Sequence, residues 1–172
     1  MNPAERSRLR QVLHSRNEAI AERWRQAIAP AGFAPLSPTE TRHLIPTLRW
    51  YGEQFTSRAG VPVTVQGEEP IPRLAAQVKN ALCRITQEAL TNVTKHARAS
   101  QVTITVTAAG QIVCLVITDD GVGFDRAQLA APDESRGWGL LTMTERAEAI
   151  GAQCRIEFHP QQGTRVIVEA VR

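Results

Sequence analysis

The sequence predicts an α+β protein: a two-layer sandwich in which helices cover one face of a mixed sheet, preceded by an N-terminal helical segment. Three observations carry this. Apolar residues recur at helical intervals within residues 7–29, 37–58 and 73–98. Short runs of Val and Ile alternate with polar residues from Val61 onward, separated by glycine-bearing turns. The order after Val61 is strand, helix, hairpin, helix, hairpin, which suits one sheet with its helices on one side.

With 172 residues, 42% of them hydrophobic and 22% charged, the chain has room for one well-buried core plus an appendage. No apolar run approaches the roughly 20 residues needed to span a bilayer. Residues Met1 to Arg6 hold no apolar signal segment, so a cytoplasmic protein is expected. The net charge of +3 is scattered among acidic residues, which argues against a direct nucleic-acid surface. Cys83, Cys114 and Cys154 are odd in number and lie in apolar periodic segments, so reduced thiols are expected rather than disulfides or a metal site.

Each element has its own warrant. In residues 7–29, Leu9, Val12, Leu13, Ile20, Trp24 and Ile28 give a helical stripe, which Pro30 to Pro35 interrupts. Ser37 as cap, Pro38 in the first turn and Glu40 closing a capping box predict a second helix running to about Arg58, stopped by Ala59-Gly60. Val61, Val63 and Val65 make a short strand, with Pro62 favouring its start or an edge. A long helix over Arg73 to Arg98 follows. Val102, Ile104 and Val106 pair with Ile112 to Ile117 across Ala109-Gly110. Phe124 to Arg136 has no firm periodicity and is expected as a loop. Leu140 to Ile150 has helical spacing before Gly151, and Arg155 to Phe158 with Thr164 to Val171 form the last hairpin.

The long helix lines up chemistry. Glu88, Asn92 and Lys95 fall at i, i+4 and i+7, opposite an apolar side of Leu82, Ile85, Ala89, Val93 and Ala97. Asp119, Gly121 and Gly123 close the strand Ile112 to Ile117. Gly137, Gly139 and Leu140 open the next helix, and Gly163-Thr164 sits in the final hairpin. A magnesium-bound triphosphate needs an oxygen ligand for the metal, cations or amides for its phosphates, and backbone that can approach closely. Asn92 suits the metal, Lys95 and His96 the phosphates, and Glu88 a general base. Asp119 is placed to accept from a purine amino group, and Gly137 and Gly139 to admit phosphates to a helix start. Standing alone, the helix face reads more readily as a solvated polar face, and the two glycine motifs equally well as plain turns; their order selects the site.

In that order, residues 61–172 resemble the catalytic, ATP-binding domain of bacterial sensor histidine kinases, within the gyrase, Hsp90, histidine kinase and MutL superfamily. Arg84-Ile85-Thr86-Gln87-Glu88-Ala89-Leu90-Thr91-Asn92 with Lys95-His96-Ala97 is most similar to the subfamily paired with helix-turn-helix response regulators. The resemblance implies an N box with Glu88 as base and Asn92 as magnesium ligand. It implies a G1 box of Asp119, Gly121 and Gly123, with Asp119 reading adenine, and a G2 box of Gly137 and Gly139. Phe124 to Arg136 would be the ATP lid and Gly163-Thr164 the last nucleotide-contacting turn. Thr142 and Thr144 stand where such proteins often carry Gly and Arg, and Trp138 where a smaller aliphatic is usual.

The implied activity is transfer of the γ-phosphoryl group of Mg·ATP to a histidine. His14 is followed by Ser15 rather than an acidic residue and His43 is a poorer candidate, so the acceptor is expected on a partner chain or a missing segment. Residues 1–60 would be a dimerisation or linker segment, with a homodimer through the N-terminal helices, and 61–172 the catalytic domain. Its partners would be a histidine-containing dimerisation domain or a response regulator. The alternative is an ATP-dependent switch like the serine-kinase anti-sigma factors. A gyrase-like or MutL-like ATPase would need a transducer domain for which the chain has no room.

Overall fold

The computed structural model describes residues 42–123 and 138–172. The expected helix over 7–29, the Ser37 to Glu40 capping box, His14, the expected lid Phe124 to Arg136 and Gly137 lie outside the described residues. The elements are α1 (Leu44–Ala59), β1 (Val63–Gly67), α2 (Ala76–Asn92) prolonged by a π-turn (Val93–Ala97), β2 (Val102–Ala109), β3 (Ile112–Asp119), α3 (Trp138–Glu148), β4 (Gln153–His159) and β5 (Gly163–Val171).

The five strands form one sheet in the order β1-β2-β3-β5-β4. β1 runs parallel to β2 and every other neighbouring pair is antiparallel. A parallel pair needs a crossover, and α2 supplies it, which is why the chemistry-bearing helix lies across the sheet. The mixed sheet with helices is the predicted α+β fold. Both hairpins form as expected, the first through the two residues Gly110 and Gln111.

The layers meet in a core where Leu82, Ile85 and Leu90 of α2, Ile104 and Val106 of β2, Val113 and Leu115 of β3, Met143 of α3 and Val168 of β5 are fully buried. α1 adds Leu44, Leu48 and Phe55. It presents Gly52 to β1, where an added Cβ would lie 3.0 Å from Val63 Cγ1. α1 belongs to the same compact unit as the sheet and its other helices. Cys83 is buried, Cys114 and Cys154 are half-buried, and all three are free thiols. Burial pushes the Cys83 thiol up to about 11 and the nearby Tyr51 hydroxyl up to about 12.

One boundary differs from expectation. α1 begins at Leu44, not near Ser37, because His43 is extended (φ −106°, ψ 145°). Continuous helix through this point would place Pro46 in its interior, where the ring clashes with the preceding turn; starting at Leu44 puts Pro46 in the first turn, where its missing N–H costs nothing. The cap comes from a distant residue: the Glu69 carboxylate accepts hydrogen bonds from Leu44 N and Ile45 N, both 2.8 Å.

Candidate functional site

The site is assembled at one end of the sheet from four segments. β3 alternates strictly, with Val113, Leu115, Ile117 and Asp119 on its buried face. Asp119 thus continues an apolar stripe with a carboxylate that is 6% exposed. Burying a charge is costly unless it is hydrogen-bonded. Its Oδ1 accepts from Gly121 N at 2.9 Å, and Thr164 donates to the same carboxylate from β5. Desolvation outweighs these bonds and holds its pKa above the ordinary value. The neighbouring Asp120 turns outward and anchors the loop. Its carboxylate accepts from Ser100 N, Ser100 Oγ and Gln101 N at 2.8, 2.5 and 2.9 Å, which lowers its pKa.

Glycines let these segments touch. A Cβ at Gly121 would lie 2.3 Å from Ala97 O, so this loop rests on the end of the π-turn, and Val122 N bonds the same carbonyl at 2.8 Å. Gly163, at φ +91°, brings the β4–β5 turn onto Asp119, where an added Cβ would meet its carbonyl oxygen at 1.9 Å. On the far side, the start of α3 lies against α2. A Cβ at Gly139 would be 2.6 Å from Glu88 Oε1 and 3.3 Å from Asn92 Oδ1. Absence of a side chain at Gly139 is what leaves those two oxygens uncovered.

Asn92 and Asp119, 27 positions apart in the chain, line one cavity enclosing about 570 Å³ of empty space, open solvent at its mouth included. His96, Gly123, Leu140 and Thr164 also line it, so six of the sequence-predicted residues share this cleft. Its remaining walls are apolar: Met143, Phe158, Ile117 and Val166 among them. Sequence reasoning did not select these four as site residues, and for Phe158 a signal existed: it pairs directly with Thr164 in the β4–β5 register. A mainly apolar cleft with a hydrogen-bonding carboxylate in its lining is chemically suited to a purine with an exocyclic amino group. Glu88 is half-buried beside Gly139 and does not itself line the cleft.

Lys95 is placed differently. It is exposed and lines an adjoining, more open groove with Arg98, Thr94 and Val122, a groove that His96 and Gly123 also border. The i, i+4, i+7 spacing assumes α-helix throughout, whereas the helix passes into a π-turn after Asn92 and the wider turn rotates the residues beyond it. Thr144, where the resembled proteins often have arginine, donates to Leu140 O at 3.2 Å and bonds Cys154 of β4, so that position faces the sheet. Among the described residues no group of three or more His, Cys, Asp and Glu side chains could hold a metal ion. Asn92 Oδ1, bared toward α3, remains a fitting single oxygen ligand for a cation that keeps water and phosphate for its other positions.

Comparison with known proteins points the same way. Residues 77–171 match the family model described as histidine kinase-, DNA gyrase B-, and HSP90-like ATPase. A sensor-like histidine kinase of Chloroflexus aurantiacus is 35% identical over 133 residues, 75% of this chain and 22% of that protein. The signal transduction histidine-protein kinase/phosphatase DegS of Bacillus subtilis is 33% identical over 129 residues, 73% of this chain and 33% of that one. The nitrate/nitrite sensor protein NarX of Escherichia coli is 32% identical over 126 residues, 73% and 20%. The chain therefore spans a third or less of these relatives. Among solved structures, full-length ShkA in complex with AMPPNP aligns with TM-score 0.61 at 23% identity, covering 81% of this chain and 31% of that one. The histidine kinase domain of the Erythrobacter litoralis EL346 blue-light activated kinase aligns with TM-score 0.60 at 19% identity, covering 85% and 68%. These two share the fold. With more than half of its length inside the family model, the chain belongs to the histidine kinase-, DNA gyrase B-, and HSP90-like ATPase family, and its catalytic ATP-binding domain is of the sensor histidine kinase type.

Proposed function

We propose that this chain binds Mg·ATP between α2, α3 and the Asp119 loop and transfers the γ-phosphoryl group to a histidine on a partner element. The observation that carries the reading is the convergence of Asn92 and Asp119 on one cleft, with Glu88 and Asn92 both facing Gly139 at the start of α3. In this reading the adenine lies against Met143, Phe158 and Ile117 with its amino group donating to Asp119. Gly139 and Gly137 let the phosphates approach the start of α3, and Asn92 would hold the magnesium ion. That ion, when bound, offsets charge on the β- and γ-phosphate oxygens. His96 borders the phosphate end, and Lys95 reaches it only from the adjoining groove.

Chemistry then rests on positioning. An imidazole nitrogen of the acceptor bonds to the γ-phosphorus as the bond to the β,γ-bridging oxygen breaks, and ADP leaves with that electron pair. Glu88 takes up the proton released by the attacking group, be it the acceptor ring or a water. Residues 1–60 serve in this reading as the dimerisation or linker segment and 61–172 as the catalytic domain, although α1 packs on β1. Partners would be a histidine-bearing dimerisation domain and a response regulator, with a homodimer through the N-terminal helices. The place of work in this reading is the cytoplasm, where ATP is supplied; the described residues contain no helix long and apolar enough to cross a membrane.

Labelled ATP tests this directly. Transfer to a two-helix dimerisation domain bearing an acceptor histidine is the expected result, and transfer to a serine of a small partner would instead select the anti-sigma-like switch. Asn92→Ala is expected to abolish magnesium-dependent nucleotide binding by calorimetry. Glu88→Ala is expected to retain binding and lose transfer by a factor of about 10² or more. Normal Mg·ATP binding by Asn92→Ala would overturn the site.

A further inference from the structure

We propose that the groove adjoining the nucleotide cleft is a docking site for an acidic segment of a protein partner, whose carboxylates meet Lys95 and Arg98 while an apolar side chain settles on Val61 and Val122. The groove encloses about 960 Å³ of empty space, open solvent included, and three parts of the chain build it. Ala59 ends α1 and Val61 follows it, Val93 to Ala99 span the π-turn and its exit, and Val122 and Gly123 belong to the Asp119 loop. Hydrogen bonds fix these walls. Val63 N donates to Thr56 Oγ1 at 3.1 Å and Val102 N to Pro62 O at 2.9 Å, which ties the exit of α1 to the sheet. Val122 N donates to Ala97 O at 2.8 Å, which holds the loop against the π-turn. The groove is therefore formed before anything enters it, and docking does not have to order it.

Its lining combines two chemistries. Lys95 and Arg98 are exposed there beside the half-buried His96, and no acidic side chain lines the groove. A basic helix end by itself is ordinary, because it offsets the helix dipole. The apolar ground next to it is not: Val122 is 47% exposed in the same groove. Asp120, on the same loop, is engaged by Ser100 and Gln101 and stays out of the lining. Arg155 and Arg165 are matched by Glu157 at 3.1 and 3.8 Å, whereas Lys95 and Arg98 form no ion pair with a described acidic residue. Arg98 also ends the helix in the left-handed region, at φ 50°, where glycine is the usual residue. Its guanidinium offers a fork of N–H groups that a carboxylate can accept from through two parallel bonds. A small anion would leave the apolar floor wet, and a nucleic acid needs a longer basic track. A peptide covers both the charges and the floor.

The groove needs no nucleotide, so the test uses the full 172-residue chain without one and stands or falls independently of the ATP reading. Two labelled probes are titrated, a short peptide of alternating leucine and glutamate and its leucine–lysine counterpart. The acidic peptide is expected to bind at least about tenfold more tightly than the basic one, and to weaken as ionic strength rises from about 0.05 to 0.3 M. Arg98→Glu on the π-turn and Val122→Glu on the Asp119 loop are each expected to weaken the acidic peptide by at least about fivefold. The double variant is expected to prefer the leucine–lysine peptide, a gain that a misfolded chain cannot show. Equal binding of the two peptides to the parent, both single variants within about twofold of it, or no reversal in the double variant would each overturn the inference. So would displacement of the acidic peptide by inorganic pyrophosphate or a short oligonucleotide as readily as by its own unlabelled form, which would give the groove to a small anion or a nucleic acid.

Discussion

At Gly139 a single methyl group separates stability from chemistry. The atom that a Cβ would displace there is Glu88 Oε1, at 2.6 Å, the free end of a flexible side chain. Folding therefore has an inexpensive escape, in which the carboxylate rotates away. Catalysis with Glu88 as the proposed base does not, because a displacement of about 1 Å in a reacting group costs on the order of 10² in rate. Gly139→Ala is accordingly expected to keep its thermal midpoint within a few degrees while phosphoryl transfer falls about 10–100-fold, checked by calorimetry beside a labelled-ATP assay. Asp119 shows the opposite coupling. Burial raises its pKa, so the folded protein keeps a proton that the unfolded chain releases. Stability then falls as pH rises through the window just above the ordinary carboxylate range, because the native state binds more protons there. Asp119→Asn has no charge to bury and is expected to remove that fall, giving a more stable apo-protein at neutral pH with at least about tenfold weaker ATP binding; denaturant titrations across pH beside binding curves would check both.

At the scale of elements, α1 depends on a residue outside itself. Two N–H groups of its first turn are satisfied by Glu69, which also lies 3.6 Å from His43 Nδ1. Losing a side-chain cap typically costs about 1 kcal/mol. Glu69→Ala is therefore expected to destabilise the domain by about 1–2 kcal/mol in urea unfolding, with nucleotide affinity unchanged because α1 contributes nothing to the Asn92–Asp119 cleft. This cap also marks the limit of what the chain's letters disclose. The strands were legible because Val102, Ile104 and Val106 or Val113, Leu115 and Ile117 alternate with period two and end at glycine turns. The long helix was legible because its apolar side recurs at three and four. The start of α1 was not, because its capping residue is 25 positions away and only tertiary folding brings it there. The placing of Lys95 was not, because no local pattern announces that α-helix gives way to a π-turn after Asn92. Met143 and Ile117 read as ordinary core, since an apolar wall of a cleft and an apolar core residue have the same composition. The polar members of the site stood out for the complementary reason: Asp119 occupies a position in the β3 alternation where an apolar residue belongs.

Across the whole molecule, the cleft is also a joint. The Asp119 loop is gripped on one side by the end of the π-turn, through Val122 N and Ala97 O, and on the other by the β4–β5 turn, through Gln161 N and Val122 O, each at 2.8 Å. α3 closes the third side against Glu88 and Asn92. A ligand that touches Asp119, Asn92 and Gly139 together binds only when the sheet, α2 and α3 are all in place, so it has nothing comparable to hold in the unfolded chain. Binding must then appear as stability, by about 2.7 kcal/mol when the free ligand is a hundredfold above its dissociation constant. For a chain of this size each kcal/mol moves the melting temperature by about 2–4 °C, so Mg·ATP is expected to raise it by roughly 5–10 °C. The variants divide this shift by role. Glu88→Gln is expected to keep it, because in the proposed reading Glu88 contributes to turnover rather than to holding the nucleotide, while Asn92→Ala is expected to lose the part that depends on magnesium. Removing the metal with a chelator should reduce the parent's shift to that of Asn92→Ala and leave the variant's own value where it was. A shift in Asn92→Ala that still collapses on chelation would move the cation to another ligand and detach Asn92 from the phosphates.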